Sequence, residues 1–172
     1  MNITKNNFIK ILFSIFLITS LSSCDEGGEP DREEIGMTTT GKFAGDWYIN
    51  ITDSDGVTLV EHVLHSTYNT SANDNTMWMD DHGEGYFIKS KFGINTLTGQ
   101  FSAVDSPNIN DGGDNTTTVT ISDGQIIENG AVSRGGHVVD RITFRVHYSY
   151  DAPGYDIIYE GHRRTGFFED EY

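Results

Sequence analysis

A single cysteine, Cys24, is all that this chain of 172 residues contains. No disulfide can form within the chain, and neither a two-cysteine redox motif nor a zinc site built from several thiolates is available. Positive charge is scarce as well: 11 Lys and Arg stand against 26 Asp and Glu, for a net charge of −15. Such a surface repels phosphate backbones, so nucleic acid is not an expected partner. Proline occurs three times, yet no stretch shows apolar residues at helical period between caps. No repeat of solenoid length is present.

Catalytic and metal motifs are also missing. The nucleophile elbow Gly-x-Ser-x-Gly does not occur, and its nearest approach, Val132-Ser133-Arg134-Gly135-Gly136, lacks the first glycine. Glu61-His62-Val63-Leu64-His65 reverses the zincin order and lies in a strand-like run. There, three-residue spacing places His62 and His65 on opposite faces unless a bulge intervenes. Asp80-Asp81-His82-Gly83-Glu84 is the densest polar cluster. It reads first as a charged hairpin turn, and second as a cation-binding or acid–base group. Asp111 and Asp114, in a Gly-rich loop, have the same standing for calcium. No metal site, no cofactor and no catalytic residue is assigned.

What is present begins with a leader. Lys5 and Lys10 flank the start of an apolar stretch over residues 11–18, which is too short to span a bilayer, and Leu21-Ser22-Ser23-Cys24 follows. This is a signal peptide over residues 1–23 ending in a lipobox, with Cys24 as the lipidated N-terminus. One acyl chain holds a protein to a membrane only marginally, so two or three are needed for a stable anchor. The expected location is extracytoplasmic, on the outer membrane, periplasmic or surface-exposed, with the membrane as partner through Cys24. Residues 24–40 form an acidic tether whose like charges favour extension, and residues 169–172 an acidic tail.

Residues 41–168 read as one all-β domain. Strands are expected at 46–53, 57–67, 75–81, 86–94, 117–122, 125–132, 138–150 and 155–164, with a further apolar face at Leu97, Phe101 and Ala103. In the clearest of them, Val138, Ile142, Phe144, Val146, Tyr148 and Tyr150 alternate with more polar residues. Asp55-Gly56, Asp123-Gly124 and Asn129-Gly130 are two-residue hairpin signals, because Asx followed by Gly tolerates positive φ. Sequential hairpins of about eight strands favour an up-and-down antiparallel barrel, whose closure leaves no exposed edge; a sandwich is the alternative.

Tyr86, Ile88, Phe92, Phe101, Phe144, Tyr148 and Tyr159 are the expected inner wall, which either fills the lumen or lines a ligand cavity. Asp140 interrupts an apolar face, so it belongs near the mouth or in a salt bridge, and is a candidate to orient a ligand's polar group. Trp78, between Met77 and Met79, faces a mouth or packs beneath a loop.

The segment Gly41-Lys42-Phe43-Ala44-Gly45-Asp46-Trp47-Tyr48-Ile49 resembles the first block of lipocalins. That resemblance implies that Trp47 closes one end of the barrel beneath an Arg of the last strand. Gly161-His162-Arg163-Arg164-Thr165-Gly166-Phe167 offers two, and strand parity favours Arg163. The whole pattern resembles the Bacteroidetes lipoproteins called lipid-binding putative hydrolases. The resemblance implies a lipocalin-like barrel with a small hydrophobic or amphipathic ligand. The alternatives are a hydrolase acting on a lipid or ester, and a surface module whose loops bind protein or glycan.

Overall fold

The computed structural model describes residues 38–110 and 116–171. The leader, Cys24, most of the tether, Asp111 and Asp114 lie outside the described residues. Eight strands follow one another: β1 (Gly45–Asp53), β2 (Thr58–Asn69), β3 (Thr76–Asp80), β4 (Lys89–Ile94), β5 (Gln100–Pro107), β6 (Thr118–Val132), β7 (Val138–Tyr148) and β8 (Ile157–Arg163). Each pairs with the next, and β8 closes on β1 with Trp47 opposite Arg163 and Asp53 opposite Ile157. The result is a closed, antiparallel, lipocalin-like barrel, and the sandwich alternative is set aside.

Alternation decides which side of each strand faces inward. Trp47, Ile49 and Ile51 of β1, Phe92 and Ile94 of β4, Ile142, Phe144, Val146 and Tyr148 of β7, and Ile157 and Tyr159 of β8 are all buried in one core. The expected face of β7 holds in its middle and fails at its ends, where Val138 and Tyr150 are exposed. Leu97 lies in the β4–β5 turn and is 92% exposed, so it does not continue the apolar face of Phe101. Tyr86 precedes β4 and belongs to the loop over residues 81–88. Trp78 points outward from β3, with the Lys91 ammonium 4.9 Å from its ring centre.

Asp123-Gly124 and Asn129-Gly130 do not turn the chain. They lie inside β6, which joins the two expected strands at 117–122 and 125–132. Asp123 and Asn129 have φ of 52° and 55°, and the β6–β7 register slips between Ser122 and Gln125 and again between Ile127 and Ala131. These are bulges: the same positive φ that suits a hairpin here bends a long strand around the barrel. A Cβ on Gly124 would collide with the carbonyl oxygen and ring of Phe101, which ties this glycine to its cross-strand neighbour.

The loops over 54–57, 81–88 and 149–156 gather at one end of the barrel, together with the chain on either side of 111–115. The other end carries the loops over 70–75, 95–99 and 133–137, the short 3₁₀ helix Gly41–Phe43 and the C-terminal residues. Residues 169–171, expected as an acidic tail, dock there. Asp170 is buried, and Glu171 receives a two-pronged ion pair from Arg164 (2.7 and 2.8 Å) and the Tyr48 hydroxyl. Their carboxylates satisfy hydrogen-bond donors of the barrel end.

Candidate functional site

The closed end is assembled around Trp47. The Arg163 guanidinium lies over the indole, with its carbon 4.5 Å from the ring centre. It donates from Nε to Asp140 (2.9 Å), from Nη1 to the Ala44 carbonyl (2.6 Å) and from Nη2 to the Lys42 carbonyl (3.0 Å). Trp47 Nε1 donates to Thr67 Oγ1 (2.9 Å), whose own hydroxyl donates to the Phe43 carbonyl (2.6 Å). A Cβ on Gly45 would strike Arg163 Nη1, so the glycine of Gly-x-Trp makes room for the arginine. Asp140 is thus a salt-bridged residue of the closed end, at the other end of the barrel from the loop over 81–88.

The expected inner wall comes together across the lumen. Phe92 and Phe101 rings are 4.7 Å apart, Phe101 and Phe144 5.6 Å, and Phe144 stacks on Tyr159 at 4.5 Å. Ile88, Phe92, Phe101, Phe144, Tyr148 and Tyr159 are each at most 4% exposed. Ring-to-ring contact of this kind fills the middle of the barrel with side chains. At the end bearing the loop over 81–88, termed the open end, Tyr86 is half-buried and stands 5.4 Å from Tyr148. Val57, Phe87, Ile109 and Tyr150 each present an exposed apolar side chain around it. The closed end also exposes apolar groups, notably Phe167 and Phe168.

Beneath the loop over 81–88, the apolar interior gives way to a polar group of four. The Tyr148 hydroxyl donates to the Tyr86 carbonyl (3.0 Å). Its hydrogen is thereby used, so in the 2.7 Å contact between the Tyr148 and Tyr159 hydroxyls Tyr159 is the donor. Burial pushes both phenols well above their ordinary range, so both stay neutral. His65 packs edge-on against Tyr159 at 5.8 Å and is fully buried. Burial lowers its pKa to about 4, although the nearby Asp81 pulls the other way. Its Nδ1 faces the Val63 carbonyl at 3.3 Å and carries the hydrogen, leaving Nε2 as a lone-pair acceptor. Asp81, also fully buried, accepts from the Gly83 amide (2.9 Å) and Asn110 Nδ2 (2.8 Å) through Oδ1.

Two acceptors are left over. Neither His65 Nε2 nor Asp81 Oδ2 has a hydrogen-bond partner. Both border Gly85: a Cβ there would stand 3.0 Å from Asp81 Oδ2 and 3.1 Å from His65 Nε2. A buried acceptor without a donor costs about 1–3 kcal/mol, so two converging on one glycine mark a place where a donor belongs.

The sequence separates these residues. His62 and His65 do sit beside a bulge, since His62 has φ of 54° and the β1–β2 register slips there. The bulge does not unite them: His62 stacks on the outward Tyr48 at 4.1 Å, while His65 turns inward. Of the polar cluster at 80–84, Asp80 is engaged by Lys89 (2.6 Å) and Tyr68 (2.8 Å). Asp81 alone turns inward. Among the described residues no three His, Cys, Asp or Glu side chains are arranged to hold a metal ion.

Ser133 is held differently from a nucleophile. Its Oγ accepts from the His137 amide at 3.0 Å, and lies 3.4 Å from His137 Nδ1. That same nitrogen contacts Asp170 at 2.9 Å. A proton relay needs the serine and the acid on opposite nitrogens of the imidazole, so this trio lacks the geometry of a catalytic triad. It fastens the C-terminal residues to the 133–137 turn. An open groove of about 1280 Å³ around the 95–99 turn, with Asp74, Leu97 and Gln125 among its walls, contains neither of the two unpaired acceptors.

The fold is a closed eight-stranded barrel with side chains filling its middle, Arg163 over Trp47 at one end and the buried group of His65, Asp81, Tyr148 and Tyr159 towards the other. The chain matches the lipid-binding putative hydrolase family over residues 32–168, and it belongs to that family. No curated protein matches it.

Proposed function

We propose that this protein binds a small amphipathic molecule at the open end of its barrel. The apolar part rests on Tyr86 and the exposed Phe87 and Tyr150, and the polar part reaches the group beneath the 81–88 loop. The observation that carries this reading is the convergence of two unpaired acceptors, His65 Nε2 and Asp81 Oδ2, on Gly85. Membership of a lipid-binding family supports it. Binding draws on burial of apolar surface, roughly 25 cal/mol per Å², with the polar group fixing orientation. Asp140 has no part in it, because Arg163 holds its carboxylate at the other end. Enhancement of a neutral naphthylamine dye's fluorescence, reversed by long-chain amphiphiles and weakened in Tyr86→Ala, is the expected result. A dye that stays dark with the folded protein refutes the reading.

The cellular half of the proposal is attachment to the extracytoplasmic side of the outer membrane through acylated Cys24, after removal of residues 1–23. The lipobox Leu21-Ser22-Ser23-Cys24 supports it. An anchored barrel samples amphiphiles at the membrane surface, where they are concentrated.

A further inference from the structure

We infer that the polar group of the ligand is a primary ammonium, a hydrogen-bond donor to both His65 Nε2 and Asp81 Oδ2, and not a carboxylate. The inference rests on the ligand-binding reading above and adds the chemistry of the head group. The two unpaired atoms at Gly85 are both acceptors. His65 has its hydrogen on Nδ1, towards the Val63 carbonyl, and is neutral in its buried position. Asp81 Oδ2 belongs to a carboxylate whose other oxygen already takes two donors.

Neither nearby tyrosine has a hydrogen left to supply. Tyr159 donates to Tyr148 and Tyr148 donates to the Tyr86 carbonyl, so both nearby hydroxyls are committed. A group that satisfies both acceptors must therefore bring at least two N–H or O–H bonds of its own. Charge decides among such groups. Asp81 is buried beside the site, and Asp53 and Asp151 flank Tyr86 at the same end. Lys89 is paired with Asp80, while His147 is shared between the Tyr155 carbonyl and Asp156. A cationic donor meets a carboxylate at the bottom and acids at the rim; a fatty-acid carboxylate would meet two lone pairs and a like charge. A side chain at position 85 would fall on both acceptors.

The test uses the full-length protein and three probes at pH 7, followed by native mass spectrometry: dodecylammonium, dodecanoate and propylammonium. Dodecylammonium is expected to bind at least tenfold more tightly than dodecanoate. Gly85→Ala is expected to remove most of that difference while leaving the circular dichroism of the barrel unchanged. Asp81→Asn, which replaces an acceptor by a donor, is expected to act in the same direction. Equal binding of dodecylammonium and dodecanoate overturns the head-group inference and leaves amphiphile binding standing. Binding of neither long-chain probe overturns both. Propylammonium binding as tightly as dodecylammonium upholds the ammonium site and assigns it to a soluble amine in place of a lipid.

Discussion

The Arg163 guanidinium carbon stands 4.5 Å from the centre of the Trp47 ring, and the two residues face each other across the β1–β8 seam that closes the barrel. Three hydrogen bonds fix the arginine there, one to Asp140 and two to carbonyls of the segment leading into β1. A cation–π contact of this kind contributes about 0.5–2 kcal/mol. The larger part of the arrangement is satisfaction of acceptors that would otherwise have no donor. Arg163→Met is therefore expected to lower stability by about 2 kcal/mol, the penalty being moderated by partial solvent access. Adding Asp140→Asn should recover part of the loss, as read from urea denaturation of the single and double variants.

Gly124 predicts a sharper effect at a single site. Gly124→Ala places a methyl against the Phe101 ring and carbonyl, so the bulge or the ring must move. A loss of about 1–3 kcal/mol is expected. Gly136→Ala is the control. Its Cβ would meet nothing within 4 Å, so only the strain of a φ of 92° remains. Thermal denaturation of the two variants separates collision from backbone strain.

Ser133→Ala bears on the hydrolase alternative. The Ser133 hydroxyl caps the 133–137 turn and shares one imidazole nitrogen with Asp170. The substitution is expected to cost about 1 kcal/mol of stability and to leave any ester hydrolysis at the level of the unsubstituted protein. A loss of turnover with stability retained would restore Ser133 as a nucleophile.

Acid should loosen the barrel from its polar interior. Because burial holds His65 at a pKa of about 4, against 6.5 for the free side chain, the unfolded chain takes up a proton that the folded one refuses. The resulting stability is complete above pH 6.5 and declines as pH falls towards 4, by up to about 3 kcal/mol. Asp170 adds a further loss at lower pH. Desolvation pushes its carboxyl up, but hydrogen bonds from Thr165, the Gly135 amide, Ser133 and His137 outweigh it and hold the pKa well below the usual range. Midpoint temperatures between pH 4 and 7 check the first effect, and His65→Gln should flatten the curve in that window.

Cys24→Ser tests the anchor on its own. The expected outcome is loss of acyl labelling and of membrane attachment with an unchanged barrel. Unaltered attachment would remove the lipobox from the account.

Much of the fold could be read from residue order, because strand alternation and burial report the same thing. The pairing of Trp47 with an Arg of the last strand came from the lipocalin resemblance, and parity along β8 then favoured Arg163, which shares a face with Gly161. Two Asx-Gly pairs misled because a hairpin and a bulge make the same local demand on φ, and only the length of β6 distinguishes them. The aromatic wall was legible, but not whether it filled the lumen, since that depends on barrel radius. His65 and Asp81 were hidden more deeply. They lie on β2 and in the loop after β3, and meet at Gly85 only once strand stagger and the 81–88 loop are fixed. Parity alone does not single out His65, because Glu61, Val63 and Thr67 share it along β2, and only the bulge at His62 separates Glu61 from the inward face.

The most direct measurement is mass spectrometry of lipid extracted from protein purified from its own membranes, set beside Gly85→Leu prepared in the same way. The account predicts an amphiphile in near-stoichiometric amount in the native chain and its loss from a folded Gly85→Leu. A folded native chain without any amphiphile, or a Gly85→Leu chain that retains it in full, would contradict the assignment of the open end as the binding site.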